Sequence, residues 1–139
     1  MHATKAALLP QTAKSARTQS LRHHLALEAL MAGRGNGQLL TDLIRVVYVT
    51  WYLQLAGFRA TDLEIYQEAE RALARCGARG MEENIWKIDQ SDAMAIEHVL
   101  ALHDWQLEHA PVSAMLDAQK RLTRFAQSSK VSPWQQIDA

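Results

Sequence analysis

The stretch "LLTDLIRVVYVTWYLQLAGF", Leu39 to Phe58, decides the fold. Its middle, Val46 to Tyr52, is rich in β-branched and aromatic residues and taken alone has the propensity of a strand. Length argues the other way. Apolar character persists for about twenty positions, against the ~5–6 residues of a usual strand. Gln38, Thr41, Asp42 and Arg45 recur at helical spacing, as a polar stripe that fades toward Tyr48 and Tyr52. The pattern predicts a central helix over about residues 38–57, apolar nearly all round and stopped by Gly57. Such a helix must be wrapped by others, so the expected fold is all-α.

The flanking segments read as the wrapping. Ser20 can cap a first helix with Leu21, Leu25, Ala29 and Ala32 as its apolar stripe, widened by Leu27 and Leu30 and ended by Gly33. "GRGNG" is then a connector. It has neither the GxGxxG spacing nor a following Gly-Lys-Ser/Thr, so no phosphate loop is expected. "TDLE", Thr61 to Glu64, has the form of a capping box before a third helix whose stripe is Tyr66, Ala69, Leu73 and Cys76. Gly77 and Gly80 are expected to bracket the next loop. Asp89 or Ser91 starts a fourth helix, about 90–109, and Pro111 opens a fifth, about 111–128. The whole is a compact five-helix bundle over 20–128, with a flexible basic arm, 1–19, and a C-terminal tail, 129–139, in which Trp134 is placed to pin the chain to the body.

Composition narrows the function classes. Fifteen Lys and Arg balance fifteen Asp and Glu, which gives no global attraction to nucleic acid or anionic lipid. One cysteine, Cys76, allows neither an internal disulfide nor a Cys-cluster zinc site, and suits a reducing compartment. No signal peptide is apparent at residues 1–20. The apolar run after Arg45 is about 13 residues, short of the ~20 a membrane span requires. These features lead us to expect a cytoplasmic protein with no membrane partner.

"EHVLALHDWQLEHA", Glu97 to Ala110, is the one concentration of histidines and carboxylates. On a helix, His98 and His109 share a face about 16 Å apart. Metal bonds of ~2 Å cannot span that distance. His103 points elsewhere, and HExxH is absent. Glu97, Asp104 and Glu108 fall on one narrow stripe, with apolar residues over most of the remainder. The segment therefore reads as a helix wall. No catalytic residues, metal ligands or cofactor are expected.

Two binding readings follow. Tyr48, Trp51, Tyr52 and Trp105 are large apolar surfaces in excess of what a small bundle buries, and make a candidate interface for a homodimer or a helical partner. Lys120, Arg121 and Arg124 form a basic patch that could contact nucleic acid together with the arm. A helix-turn-helix around Gly57 is disfavoured, because its second helix would open with Asp62, Glu64, Glu68 and Glu70 against phosphate.

Four strings, "LRHHLALEAL", "GRGNGQLLTDLIRVVYVTWYL", "LALHDWQL" and "RLTRFAQSSKVSP", occur in an order that resembles short bacterial proteins labelled Fis-family transcriptional regulators. The resemblance covers about residues 20–133 and carries no biochemical role that transfers. The Lys- and Arg-rich C-terminal helix-turn-helix of Fis-type proteins has no counterpart in "RFAQSSKVSPWQQIDA", so no site residues carry over. The function expected is that of a small, non-enzymatic interaction or regulatory protein that self-associates, with a nucleic-acid-binding regulator as the alternative.

Overall fold

A computed structural model describes residues 5–135, and the two ends of the sequence lie outside the described residues. A short 3-10 turn, Lys5–Leu8, precedes five helices: α1 (Ala13–Met31), α2 (Gly37–Leu55), α3 (Leu63–Glu83), α4 (Gln90–His109) and α5 (Val112–Ala126). No strand occurs among the described residues, and Val46 to Tyr52 is helical. α2 packs against all four other helices. Its buried residues, from Leu40 to Leu53, link the main core to a smaller cluster under α5. Among the described elements α5 contacts only α2 and the N-terminal turn, and its buried residues are Ala118 and Leu122.

Helix ends follow local chemistry. Asn36 accepts from Leu39 N at 2.9 Å and caps α2, a role for the "GRGNG" connector. Gly33 and Gly57 end their helices with φ of 75° and 100°, where a Cβ would be strained.

Several boundaries differ from the sequence reading. The arm 1–19 is not an unstructured tail where it is described. α1 starts at Ala13, because Thr12, rather than Ser20, supplies the cap and accepts from Ser15 N at 3.1 Å. The preceding segment is tied to α4 and α5. Gln11 Nε2 donates to Leu107 O, Val112 N donates to Leu9 O, and Pro10 bridges Pro111. The stripe of α1 also turns over. Ala16, Ala26, Leu27 and Leu30 are buried, while Leu21 and Leu25 are 59% and 56% exposed.

"TDLE" makes no capping box. Asp62 stands at the N-cap without a side-chain bond, and the Thr61 hydroxyl pairs with His98 Nε2 at 3.0 Å. Gly77 and Gly80 lie inside α3, which runs on to Asn84 in the left-handed region. A Cβ at Gly80 would stand 2.3 Å from the Trp86 ring, so here glycine allows a close approach within a helix and does not end one.

The tail 129–139 is packed as far as it is described. Trp134 meets Tyr48, Trp51 and Tyr66 at ring-centroid distances of 5.6, 5.9 and 5.9 Å. Glu70 accepts from the Tyr48 hydroxyl at 2.7 Å and from the Ser132 hydroxyl at 2.6 Å, joining α2, α3 and the tail.

Candidate functional site

A cleft of about 300 Å³ opens between α1, α2 and α5, with His103 of α4 in its lining. α1 contributes Gln19, Arg22, His23 and Ala26, and α2 contributes Leu39, Asp42, Leu43 and Val46, each at successive offsets of three, four and seven. Such offsets put a set on one helical face, so two faces oppose across the opening. Arg45, Val49, Met115 and Gln119 complete the walls.

His103 is the chemically defined member. Gln106 Nε2 donates to Thr50 O and Phe58 O, at 3.1 and 3.0 Å. Two carbonyls can only accept, so the amide orientation is settled and Gln106 Oε1 faces His103 Nδ1 at 2.9 Å. Nδ1 must therefore carry the proton, and Nε2 presents a lone pair. Burial depresses the His103 pKa to about 4, opposed by the Gln106 bond and assisted by His23. The ring is neutral at pH 7. So low a basicity suits accepting a hydrogen bond better than abstracting a proton.

His23 lies beside it, with ring centroids 5.5 Å apart. Burial lowers its pKa as well, and its Nδ1 is buried without a hydrogen-bond partner. One step round the same two helices, His24 Nε2 meets Asp104 Oδ2 at 2.8 Å, while Asp104 Oδ1 is buried and unpartnered. Spacing along α4 alone could not find this arrangement, because the ring beside His103 and the imidazole bonded to Asp104 both come from α1. A usable signal was present, however. His23-His24 and His103-Asp104 are adjacent pairs, and two packed helices bring such pairs together at two successive positions.

The rim carries opposite charges. Arg22 and Arg45 have no carboxylate within 4.0 Å among the described residues. Asp42 is held by Gln38 Nε2 at 2.9 Å. Among the described residues no group of three or more His, Cys, Asp or Glu could hold a metal ion. Glu97 and Glu108 are exposed on α4.

The other expected site residues fall elsewhere. Tyr48 and Trp51 are half-buried, and their rings pack within the chain on Phe125, Tyr66 and Trp134. Tyr52 is 8% exposed, with the Arg121 guanidinium 5.1 Å from its ring centroid. Trp105 stacks on His109 at 4.1 Å and has Arg59 at 5.0 Å. Tyr48, Trp51 and Tyr52 thus have ring or cation partners within the chain, while Trp105 stays partly exposed beside Arg59 and His98. Arg121 and Arg124 join Lys130, Tyr52, Phe125 and Ser128 around a second, more open corner, in which Lys120 takes no part. Cys76 is buried on its helix stripe, and burial raises its thiol pKa.

Among the described residues no helix is long and apolar enough to cross a membrane. No family model matches this chain, and neither does any curated protein or solved structure.

Proposed function

We propose that this chain is a non-enzymatic interaction protein that pairs with a second copy of itself through the outer face of α1. The observation that carries the reading is the exposure of Leu21 and Leu25, on the side of α1 that faces away from the buried Ala16, Ala26, Leu27 and Leu30. Adjacent leucines at i and i+4 on a solvent face are the form of a helix-pairing seam. The flanking charges favour a two-fold, antiparallel arrangement. With Leu21 of one copy against Leu25 of the other, Arg17 and Glu28 fall within a turn of each other across the seam. A parallel pairing would set Arg17 against Arg17. An isologous contact of this kind closes as a dimer. A buried, unreactive cysteine suits such a protein to the cytoplasm.

Analytical ultracentrifugation at a few hundred micromolar tests the proposal. The wild type should sediment as a dimer, and Leu21→Glu/Leu25→Glu as a monomer with unchanged helix content. A monomeric wild type, or a variant that still dimerises, would overturn it.

A second reading is favoured by the corner where Arg121, Arg124 and Lys130 gather with no carboxylate in its lining. Nucleic acid bound there would be held through phosphate, and affinity for any duplex would fall steeply between ~50 and ~200 mM salt. Fluorescence anisotropy showing salt-insensitive binding, or none, would remove it.

A further inference from the structure

The cleft between α1, α2 and α5 combines three features that together suit a small ligand. Arg22 and Arg45 lie mid-helix, away from the C-terminal carbonyls that commonly stabilise cations, and neither has an ion-pair partner among the described residues. His103 is 97% buried, yet its network of bonds leaves Nε2 as an acceptor with no hydrogen bond among the described residues. Between them Val46, Val49 and Met115 offer apolar wall. A volume of about 300 Å³ is at the small end of ligand sites.

We propose that this cleft binds a small organic monocarboxylate carrying one hydrogen-bond donor on an apolar body. The carboxylate meets Arg22 and Arg45, the donor meets His103 Nε2, and the body lies against Val46, Val49 and Met115. Charge selects the class. Two arginines against Asp42 leave one net positive charge, which one carboxylate neutralises and a dianion would overshoot beside the Asp42 carboxylate. The neutral, Nδ1-protonated His103 selects a donor, because an acceptor placed at Nε2 would meet a second lone pair. The site is a binding site only. No covalent step is implied, and the inference stands whether or not the chain dimerises.

The test is titration of the full chain at pH 7 with 4-hydroxybenzoate and 3-phenyllactate, followed by calorimetry and by the imidazole NMR signals of His23 and His103. At least one hydroxy acid should bind and shift both rings. Benzoate, which lacks the donor, and 4-hydroxybenzyl alcohol, which lacks the charge, should each bind about tenfold more weakly or worse. Arg22→Ala and Arg45→Ala should each weaken binding by about tenfold. The benzoate comparison probes His103 without altering the protein. Three results would overturn the proposal: neither hydroxy acid binding at about 10 mM to folded protein, binding unchanged in the double arginine variant, or inorganic phosphate binding as tightly as the hydroxy acids.

Discussion

The two sides of α2 are finished differently. At 100° per residue, Trp51 and Val49 point about 160° apart. On the side of Trp51 the chain is closed. Tyr48, Trp51, Tyr66 and Trp134 meet edge-on or tilted, and Glu70 accepts from two hydroxyls. Trp51 Nε1 is the one buried side-chain polar atom of this cluster without a hydrogen bond. On the side of Val49 the cleft is open, with His23 Nδ1 buried and unpartnered, and with the exposed Arg22 and Arg45 free of ion pairs among the described residues. Buried polar groups in proteins are nearly always bonded. Each side leaves one buried polar atom unpartnered, Trp51 Nε1 or His23 Nδ1, so the contrast lies in filling: packed rings close one side for stability, and an open cleft leaves the other available for binding.

The largest effect expected from breaking this contrast is on the closed side. Trp134→Ala removes a ring that three other aromatic rings pack against. Trp→Ala changes in cores cost about 3–5 kcal/mol, and this ring is half-buried, so the lower end applies, about 3–4 kcal/mol. Urea unfolding should show the midpoint fall with an unchanged slope. A loss under about 0.5 kcal/mol would mean that the segment after α5 merely lies on the body, and the closed side would lose its meaning.

A smaller effect belongs to the open side. His103 has a folded pKa of about 4 against 6.5 unfolded. The unfolded chain therefore binds more protons between those values. Stability from keeping the ring neutral is fully present above pH 6.5 and is lost as pH falls toward 4, by about 2–3 kcal/mol. His23, also lowered by burial, adds in the same direction, while Asp104 opposes both shifts. Unfolding free energies at pH 7 and 4.5 should differ more in the wild type than in His103→Gln, since carboxylate titration is common to the two. Equal differences would show that His103 is protonated in the native state at little cost.

The sequence disclosed these two sides unequally. α2 was legible because twenty apolar positions outweigh a seven-residue strand propensity, and the Tyr66–Cys76 stripe was legible because its face is uniform. α1 misled because two faces carry apolar residues at helical spacing. Leu21 and Leu25 look better than Ala16 and Ala26, and only packing against α4 shows that the smaller residues face inward, where close approach needs them. The aromatic residues of α2 have no local pattern that names their partners, because Phe125 and Trp134 come from the far end of the chain. The cleft was illegible for the same reason. Arg22, Arg45 and His103 have no local pattern in common, and they meet only through tertiary contacts.

The smallest expected effect is the most discriminating. Arg22→Ala and Arg45→Ala should leave stability within about 0.5 kcal/mol of the wild type, as surface changes away from caps and networks do. Both side chains belong to exposed residues, neither has a carboxylate within 4.0 Å among the described residues, and alanine equals or exceeds arginine in helix propensity. Each guanidinium shares the cleft with one like charge and one opposite charge, Asp42, so the electrostatic change should be close to zero. Thermal melts in low salt would show it best, because screening hides interactions between exposed charges. A loss above about 1 kcal/mol would mean that the guanidinium stems pack as structure, and the open side would then be a poorly filled version of the closed one. A neutral or positive change in stability, together with loss of carboxylate binding, would separate folding from recognition at the same two residues.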